Sequence, residues 1–281
     1  MEKALDNPIG VMQGRLLPKY QGRYQAHPVG YWQNEFEIAA ALGLDCIEFI
    51  LDDNDIESHP LMTRSGLAEI SEVIESSGVN IYSICADNFM VAPLHKGSDL
   101  SKQKALNTFE QLLQGAKTLG VSDIVIPCVD HTSLLESNEC DAFIEVLRPM
   151  ARSAQECRVR LSLETDLPPA SFAALLASIG NDSVKVNYDI GNSAALGYDY
   201  REELTAYGSE ISDIHVKDRL LGAGPVVLGT GNADIPGFFE VLKEYDYHGP
   251  IIMQAYRDDE GIEVFKKQLT WLRDILEKHF D

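Results

Sequence analysis

The 281-residue chain is short of positive charge: 23 Lys and Arg stand against 44 Asp and Glu, a formal net charge of -21 at pH 7. Nucleic acids and anionic membranes attract proteins by charge neutralisation, so neither is expected as a partner. A small anionic substrate remains open, because salt screens charges beyond about 10 Å while a few Arg and Lys act inside one pocket. The five Cys (46, 85, 128, 140 and 157) form no CxxC pair; Cys46, Cys85 and Cys128 lie in apolar runs and read as small buried hydrophobes. No stretch approaches the ~20 apolar residues of a membrane span. The start, Met-Glu-Lys-Ala-Leu-Asp-Asn-Pro, has no basic segment followed by an apolar run, so a cytoplasmic protein is expected. No Gly-x-Gly-x-x-Gly follows the first apolar run, which lowers the case for a dinucleotide-binding domain.

What is present is enough apolar residue for a sizeable core, 45% of the chain. It falls into short β-branched runs alternating with longer amphipathic ones, the pattern of βαβ units. Strands are expected at 9–13, 46–51, 80–86, 123–129, 159–165, 184–190, 211–217 and 250–255. Helices are clearest at 66–77, 102–119, 140–156, 171–179, 236–245 and 261–278. Gly43, Gly78, Gly120 and Gly180 each close a helix before an apolar strand, where glycine supplies the left-handed cap. This α/β pattern predicts one (β/α)₈ TIM barrel over residues 1–281, which leaves no sheet edge; an open doubly wound sheet is the alternative. Long connections after the first two strands (12–32 and 52–64) mark the end where a barrel builds its site.

Polar residues interrupt the apolar alternation near four consecutive strand ends. Arg-Leu-Ser-Leu-Glu-Thr-Asp (160–166) carries Glu164, and Val-Asn-Tyr-Asp-Ile-Gly-Asn (186–192) carries Asp189. Ser-Asp-Ile-His-Val-Lys-Asp (212–218) carries His215, and Ile-Ile-Met-Gln-Ala-Tyr-Arg (251–257) carries Gln254. A period of two sends Leu161, Leu163, Val186, Tyr188, Ile214, Val216, Ile251 and Met253 outward to the helices. It sends Ser162, Glu164, Asn187, Asp189, Asp213, His215 and Gln254 inward. A carboxylate aimed into a closed barrel is costly unless paired or metal-bound. Two carboxylates, an imidazole and an amide oxygen make a donor set for one divalent ion, Mn²⁺, Mg²⁺, Co²⁺ or Zn²⁺.

Glu at the end of strand five, Asp-x-Gly-Asn on strand six, His-Val-Lys-Asp on strand seven and a ligand on strand eight resemble the xylose-isomerase-like barrel superfamily. The resemblance runs from Gly10-Val-Met-Gln-Gly-Arg15 to the last helix. The group includes ketose 3-epimerases, ribulose-phosphate 3-epimerases, hydroxypyruvate isomerase, inosose dehydratase and endonuclease IV enzymes. It implies that Glu164, Asp189, His215 and Gln254 hold one metal, and that the protein forms homo-oligomers. In the epimerases the strand-five and strand-eight ligands are both Glu and exchange the substrate proton from opposite faces. Here strand eight offers Gln254, whose amide oxygen ligates but has no useful basicity. Asn192 stands where sugar epimerases often carry a substrate-binding His.

Other polar groups end neighbouring strands. Glu48, Lys217 and His131 are candidates for the second proton-transfer group beside Glu164. Gln13, Arg15, Asp87, Asn192, Arg219 and Arg257 are candidates for binding substrate. The basic members suggest an anionic group, with salt bridges to rim carboxylates such as Asp218 or Asp166 as the alternative. Leu228-Gly-Thr-Gly-Asn-Ala-Asp-Ile-Pro236 reads either as a phosphate cradle or as a plain turn with Asp234 at the helix start. The expected chemistry is metal-dependent isomerisation or epimerisation of a small sugar or sugar phosphate by proton abstraction next to a carbonyl. Dehydration through the same enolate is the second reading. A barrel that only binds a sugar is the third. An endonuclease IV-like role conflicts with the charge and with the lack of further ligands for a trinuclear site.

Overall fold

The computed structural model describes residues 7–280; the N-terminal stretch read above for a leader, and the side chain of His279, lie outside the described residues. The strands are β1 (Ile9–Met12), β2 (Cys46–Ile50), β3 (Ser83–Cys85), β4 (Asp123–Cys128), β5 (Arg160–Thr165), β6 (Val184–Asp189), β7 (Ile211–Val216), a short hairpin of β8 (Asp218–Arg219) and β9 (Pro225–Val226), and β10 (Ile251–Met253). The eight long-range strands close into a barrel in the order β1-β10-β7-β6-β5-β4-β3-β2, and β10 is its eighth stave. All its pairings are parallel, with one register shift between Val186 and Asn187 on β6. Helices α1 (Gln33–Ala41), α2 (Arg64–Ser77), α3 (Asn88–Val91), α4 (Asp99–Leu119), α5 (Ser137–Cys157), α6 (Pro169–Ile179), α7 (Ile190–Leu196), α8 (Tyr200–Tyr207), α9 (Ile235–Leu242) and α10 (Glu263–Phe280) fill the crossovers. A TIM barrel is what the alternation of runs predicted. Among the described residues, no helix is long and apolar enough to cross a membrane.

Period-two alternation sorts the core into two compartments. Val11, Ile47, Phe49, Leu161, Leu163, Val186, Ile214, Val216 and Met253 pack outward with the helices in one large apolar layer. Inside the barrel a small separate cluster gathers Met12, Cys46, Ile50, Cys85, Val125 and Ile252. The half of the interior formed by β5, β6 and β7 is polar instead. Near its base Arg160 pairs with Asp123 at 2.5 Å, and Asp123 also accepts from Ser162 Oγ at 2.8 Å. Barrel interiors are usually filled by branched apolar side chains. Burying charge here costs desolvation that pairing must offset, so the polar half is the part of the core shaped by something other than packing.

Helix ends follow the glycine pattern: Gly78 (φ 73°) and Gly120 (φ 72°) cap α2 and α4 in the left-handed conformation. The connection after β1 is held differently. Buried Glu35 on α1 accepts backbone N–H bonds from Gly14 and Leu16 at 2.8–2.9 Å. A Cβ on Gly14 would meet the Tyr24 carbonyl at 2.1 Å, so the chain crosses itself there only with glycine. That crossing brings Arg23 and Gln25 to the barrel mouth.

Candidate functional site

Glu164, Asp189 and His215 meet at the C-terminal mouth. Each is buried, and one donor atom from each lies within 4.8 Å of the others. Asp189 ends β6 and caps α7, its Oδ1 accepting from Asn192 N at 2.8 Å. Its Oδ2 accepts from Lys217 Nζ at 3.2 Å. Glu164 Oε1 accepts from Asn192 Nδ2 at 2.7 Å, and Asn192 Oδ1 accepts from Arg219 Nη1 at 2.8 Å. Asn192 thus bridges Glu164 to Arg219. The glycine of the Asp-x-Gly-Asn motif has a steric reason. A Cβ on Gly191 would stand 2.9 Å from the backbone and Cγ of Lys217, so only glycine lets α7 sit this close to the end of β7.

His215 is fully buried on β7. Its Nε2 lies 2.8 Å from Glu48 Oε1, and Glu48 Oε2 accepts from Ser83 Oγ at 2.5 Å. Its Nδ1 is buried without a hydrogen-bond partner. Gln254, just past β10, donates from Nε2 to Gln25 Oε1 at 2.8 Å, and its Oε1 is likewise buried without a partner. A buried polar atom left unpaired is costly. Here two such atoms accompany two carboxylates at one barrel mouth. Nitrogen and oxygen donors of this kind suit a first-row or alkaline-earth dication. The residues present therefore fit a metal, which Glu164, Asp189, His215 Nδ1 and Gln254 Oε1 could hold. The second His nitrogen on a carboxylate is the usual arrangement behind a metal-bound imidazole.

The electrostatics point the same way. Burial, then the charge of Asp189, raises Glu164 to about 7, with His215 and Lys217 pulling it back. Burial opposes a charged imidazole at 215, yet Glu48, with Glu164 and Asp213, raises it to about 10. The cluster attracts positive charge.

The cavity above the cluster is about 490 Å³, within the usual range for small-molecule sites. Glu164, Asp87, Asn192, Lys217, Arg219 and Gln254 line it, together with Arg23, Gln25, Asp130 and Asp166. Arg23 and Gln25 were not singled out from sequence, although the long connection that carries them was. Asp87 accepts from Gln25 Nε2 at 3.1 Å, and its burial raises the carboxyl above the usual range.

Several expected site residues lie elsewhere. Glu48 is fully buried below the cavity and contacts His215 instead. Gln13 is also fully buried; its Oε1 accepts from Ile50 N at 3.0 Å and fastens the end of β2. His131 falls on an exposed turn after β4, with Nε2 against the Met90 carbonyl, because Asp130 adopts a positive φ of 53° and turns the chain away. Arg257 packs 4.7 Å over the Tyr24 ring and donates to the Gly261 carbonyl. Arg15 is one layer back from the cavity, donating from Nη2 to Gln25 Oε1 at 3.2 Å; burial lowers its guanidinium to about 10. The Gly-rich segment is the plain turn. Asp218 takes the N–H groups of Gly231 (2.8 Å) and Ala233 (3.1 Å), and Asp234 caps α9, so those donors are not free for a phosphate.

The comparisons with known proteins agree with this fold. L-ribulose-5-phosphate 3-epimerase UlaE of Escherichia coli K12 is 27% identical over 262 residues, covering 89% of this chain and 92% of the relative. The structure of the IOLI protein with a bound zinc atom superposes with a TM-score of 0.77 at 16% identity, covering 98% of this chain and 99% of that one. A xylose isomerase-like TIM barrel protein from Mycobacterium smegmatis, in complex with magnesium, gives 0.73 at 19% identity over the full length of both chains, 100% of each. Residues 36–275 match the family model described as xylose isomerase-like TIM barrel. With barrel, polar mouth and family model in agreement, this chain belongs to the xylose isomerase-like TIM barrel family.

Proposed function

We propose that the chain is a divalent-metal-dependent isomerase or epimerase that moves a proton next to the carbonyl of a small sugar or sugar phosphate. One observation carries this reading: Glu164, a buried carboxylate, lines the cavity beside Asp189 and His215 at the barrel mouth. A carboxylate facing the substrate cavity is a group able to take a proton from the carbon next to a carbonyl. Similarity to L-ribulose-5-phosphate 3-epimerase supports the sugar-phosphate class. The dication, held by Glu164, Asp189, His215 and Gln254, supplies Lewis-acid polarisation of the substrate oxygens when bound.

Glu164 takes the proton, steadied by Asn192 Nδ2 at 2.7 Å. Lys217, 3.2 Å from Asp189 and facing the same cavity, steadies the developing oxyanion or returns a proton. Arg219 and Arg23 offer positive charge to an anionic end of the substrate. Gln254 cannot take or give the proton, so two symmetrical carboxylates do not operate here. The same residue favours a second reading, elimination of a β-hydroxyl, which needs no second base of matching strength.

The test is hydrogen–deuterium exchange by mass spectrometry on metal-loaded protein in D₂O, with ketoses, aldoses, inososes and their phosphates. We expect one compound to gain deuterium, and Glu164→Gln to slow that gain at least about 100-fold, the smaller end of general-base contributions. Loss of one water from a substrate would establish the elimination. The absence of both deuterium gain and water loss across the panel, with metal bound at the site, would sink both readings.

A further inference from the structure

Gln25 comes from the long connection between β1 and α1. Its side-chain oxygen receives Arg15 Nη2 at 3.2 Å and Gln254 Nε2 at 2.8 Å, and its nitrogen donates to Asp87 Oδ2 at 3.1 Å. The polarity of this chain of contacts is fixed from one end. A guanidinium has donors and no acceptor. The Gln25 atom facing Arg15 must therefore be its oxygen, and the atom on Asp87 its nitrogen. The same oxygen then requires a donor from residue 254, which must present its NH₂. What remains of the Gln254 amide is its oxygen, buried and without a hydrogen-bond partner in the cavity wall that Glu164 shares.

We infer that Gln25 is a positioning residue for the metal centre: it holds the Gln254 amide so that the oxygen, not the NH₂, is left for the cation. The inference rests on the metal-dependent reading above. A primary amide has two ends of nearly equal shape and opposite polarity. Turned over, it would aim two N–H donors at a dication. A carboxylate at 254 would not need this device, since either oxygen ligates. The neutral ligand on the eighth barrel strand is thus coupled to an acceptor supplied by a loop.

The coupling can be measured without turnover. Mn²⁺ is titrated calorimetrically into metal-free wild type, Gln25→Leu, Gln254→Glu and the double variant, with circular dichroism and melting curves confirming folding. Groups behind metal ligands typically contribute 10–100-fold in affinity. We expect Gln25→Leu to weaken Mn²⁺ binding about tenfold or more in wild type, and less than about twofold in the Gln254→Glu background. Gln25→Met, nearly the same length as the native side chain, repeats the test should the Leu variant melt early. Wild-type affinity in Gln25→Leu would overturn the inference. So would an equal loss in both backgrounds, which marks a merely structural residue. A wild type that binds no Mn²⁺, or binds it undiminished after His215→Ala, would instead sink the metal centre, and with it the role of Gln25.

Discussion

At the scale of single residues, position in the alternation separated the candidate ligands from their supports only in part. Glu164, Asp189, His215 and Gln254 stood out because polar groups interrupt apolar strands at matching heights, and a strand's period of two is independent of the rest of the fold. Glu48 shows the same signal and does different work. Its partner His215 lies 167 positions away in sequence, and only barrel closure brings the two within 2.8 Å. Nothing local to Cys46–Ile50 distinguishes a carboxylate that meets substrate from one that holds an imidazole. The structural role makes its own prediction. Glu48→Gln keeps the size but presents a neutral amide to His215 Nε2, so the ring is held less firmly and is a poorer donor. Mn²⁺ affinity should fall roughly 10–100-fold. At saturating metal, the exchange rate should fall much less than in Glu164→Gln. Unchanged affinity in a calorimetric titration would return Glu48 to the list of proton-transfer groups.

At the scale of elements, strands and long helices were legible and the loops were not. β1 through β7 and β10 match the expected runs to within a few residues, as do α2, α4, α5, α6 and α10. The connections after β1 and β2 have no period to read. Their conformation comes from Glu35 holding Gly14 and Leu16, and from a buried contact between the two loops, His27 against His59 with ring centroids 4.2 Å apart. Neither imidazole lines the cavity, and their interest is in stability. Burial lowers His27 to about 4, and burial, with the neighbouring ring, holds His59 well below its usual value. Above pH 6.5 the imidazole is neutral in folded and unfolded chains alike. Below it, the unfolded chain takes up a proton that the folded one refuses until about pH 4, so stability is lost as pH falls through that window. One such group removes roughly 1.4 kcal/mol per pH unit. His27→Phe suits the aromatic surroundings of Trp32 and Phe49 and abolishes one share of the loss. Urea unfolding at pH 7.5 and 5.5 should show the variant losing roughly 1.4 kcal/mol less than wild type between the two conditions. Equal losses would mean that His27 is protonated in the folded state.

At the scale of the whole molecule, the net charge of -21 and the polar half of the barrel are separate demands for cations, and they respond differently. The surface demand is diffuse. Any salt lowers the self-repulsion, with a screening length of about 8 Å at 0.15 M ionic strength. The demand at the mouth is local, because Glu164, Asp189 and His215 are buried and screened little. A ligand that binds only the folded state stabilises it by about 2.7 kcal/mol at a hundred times its dissociation constant. For a domain of this size that raises the melting temperature by roughly 5 °C. Mn²⁺ added after chelator treatment, in buffer already at 0.15 M NaCl, should therefore raise the wild-type melting temperature by about that much, and EDTA should reverse it. Further NaCl should move wild type and His215→Ala alike, since screening does not involve the barrel mouth. The Mn²⁺ increment should be largely absent in His215→Ala, which lacks the only nitrogen donor of the set. An increment of equal size in both proteins would assign the whole effect to the acidic surface. The buried cluster would then be a proton-sharing network of Glu48, His215 and Asp213, stable without a metal.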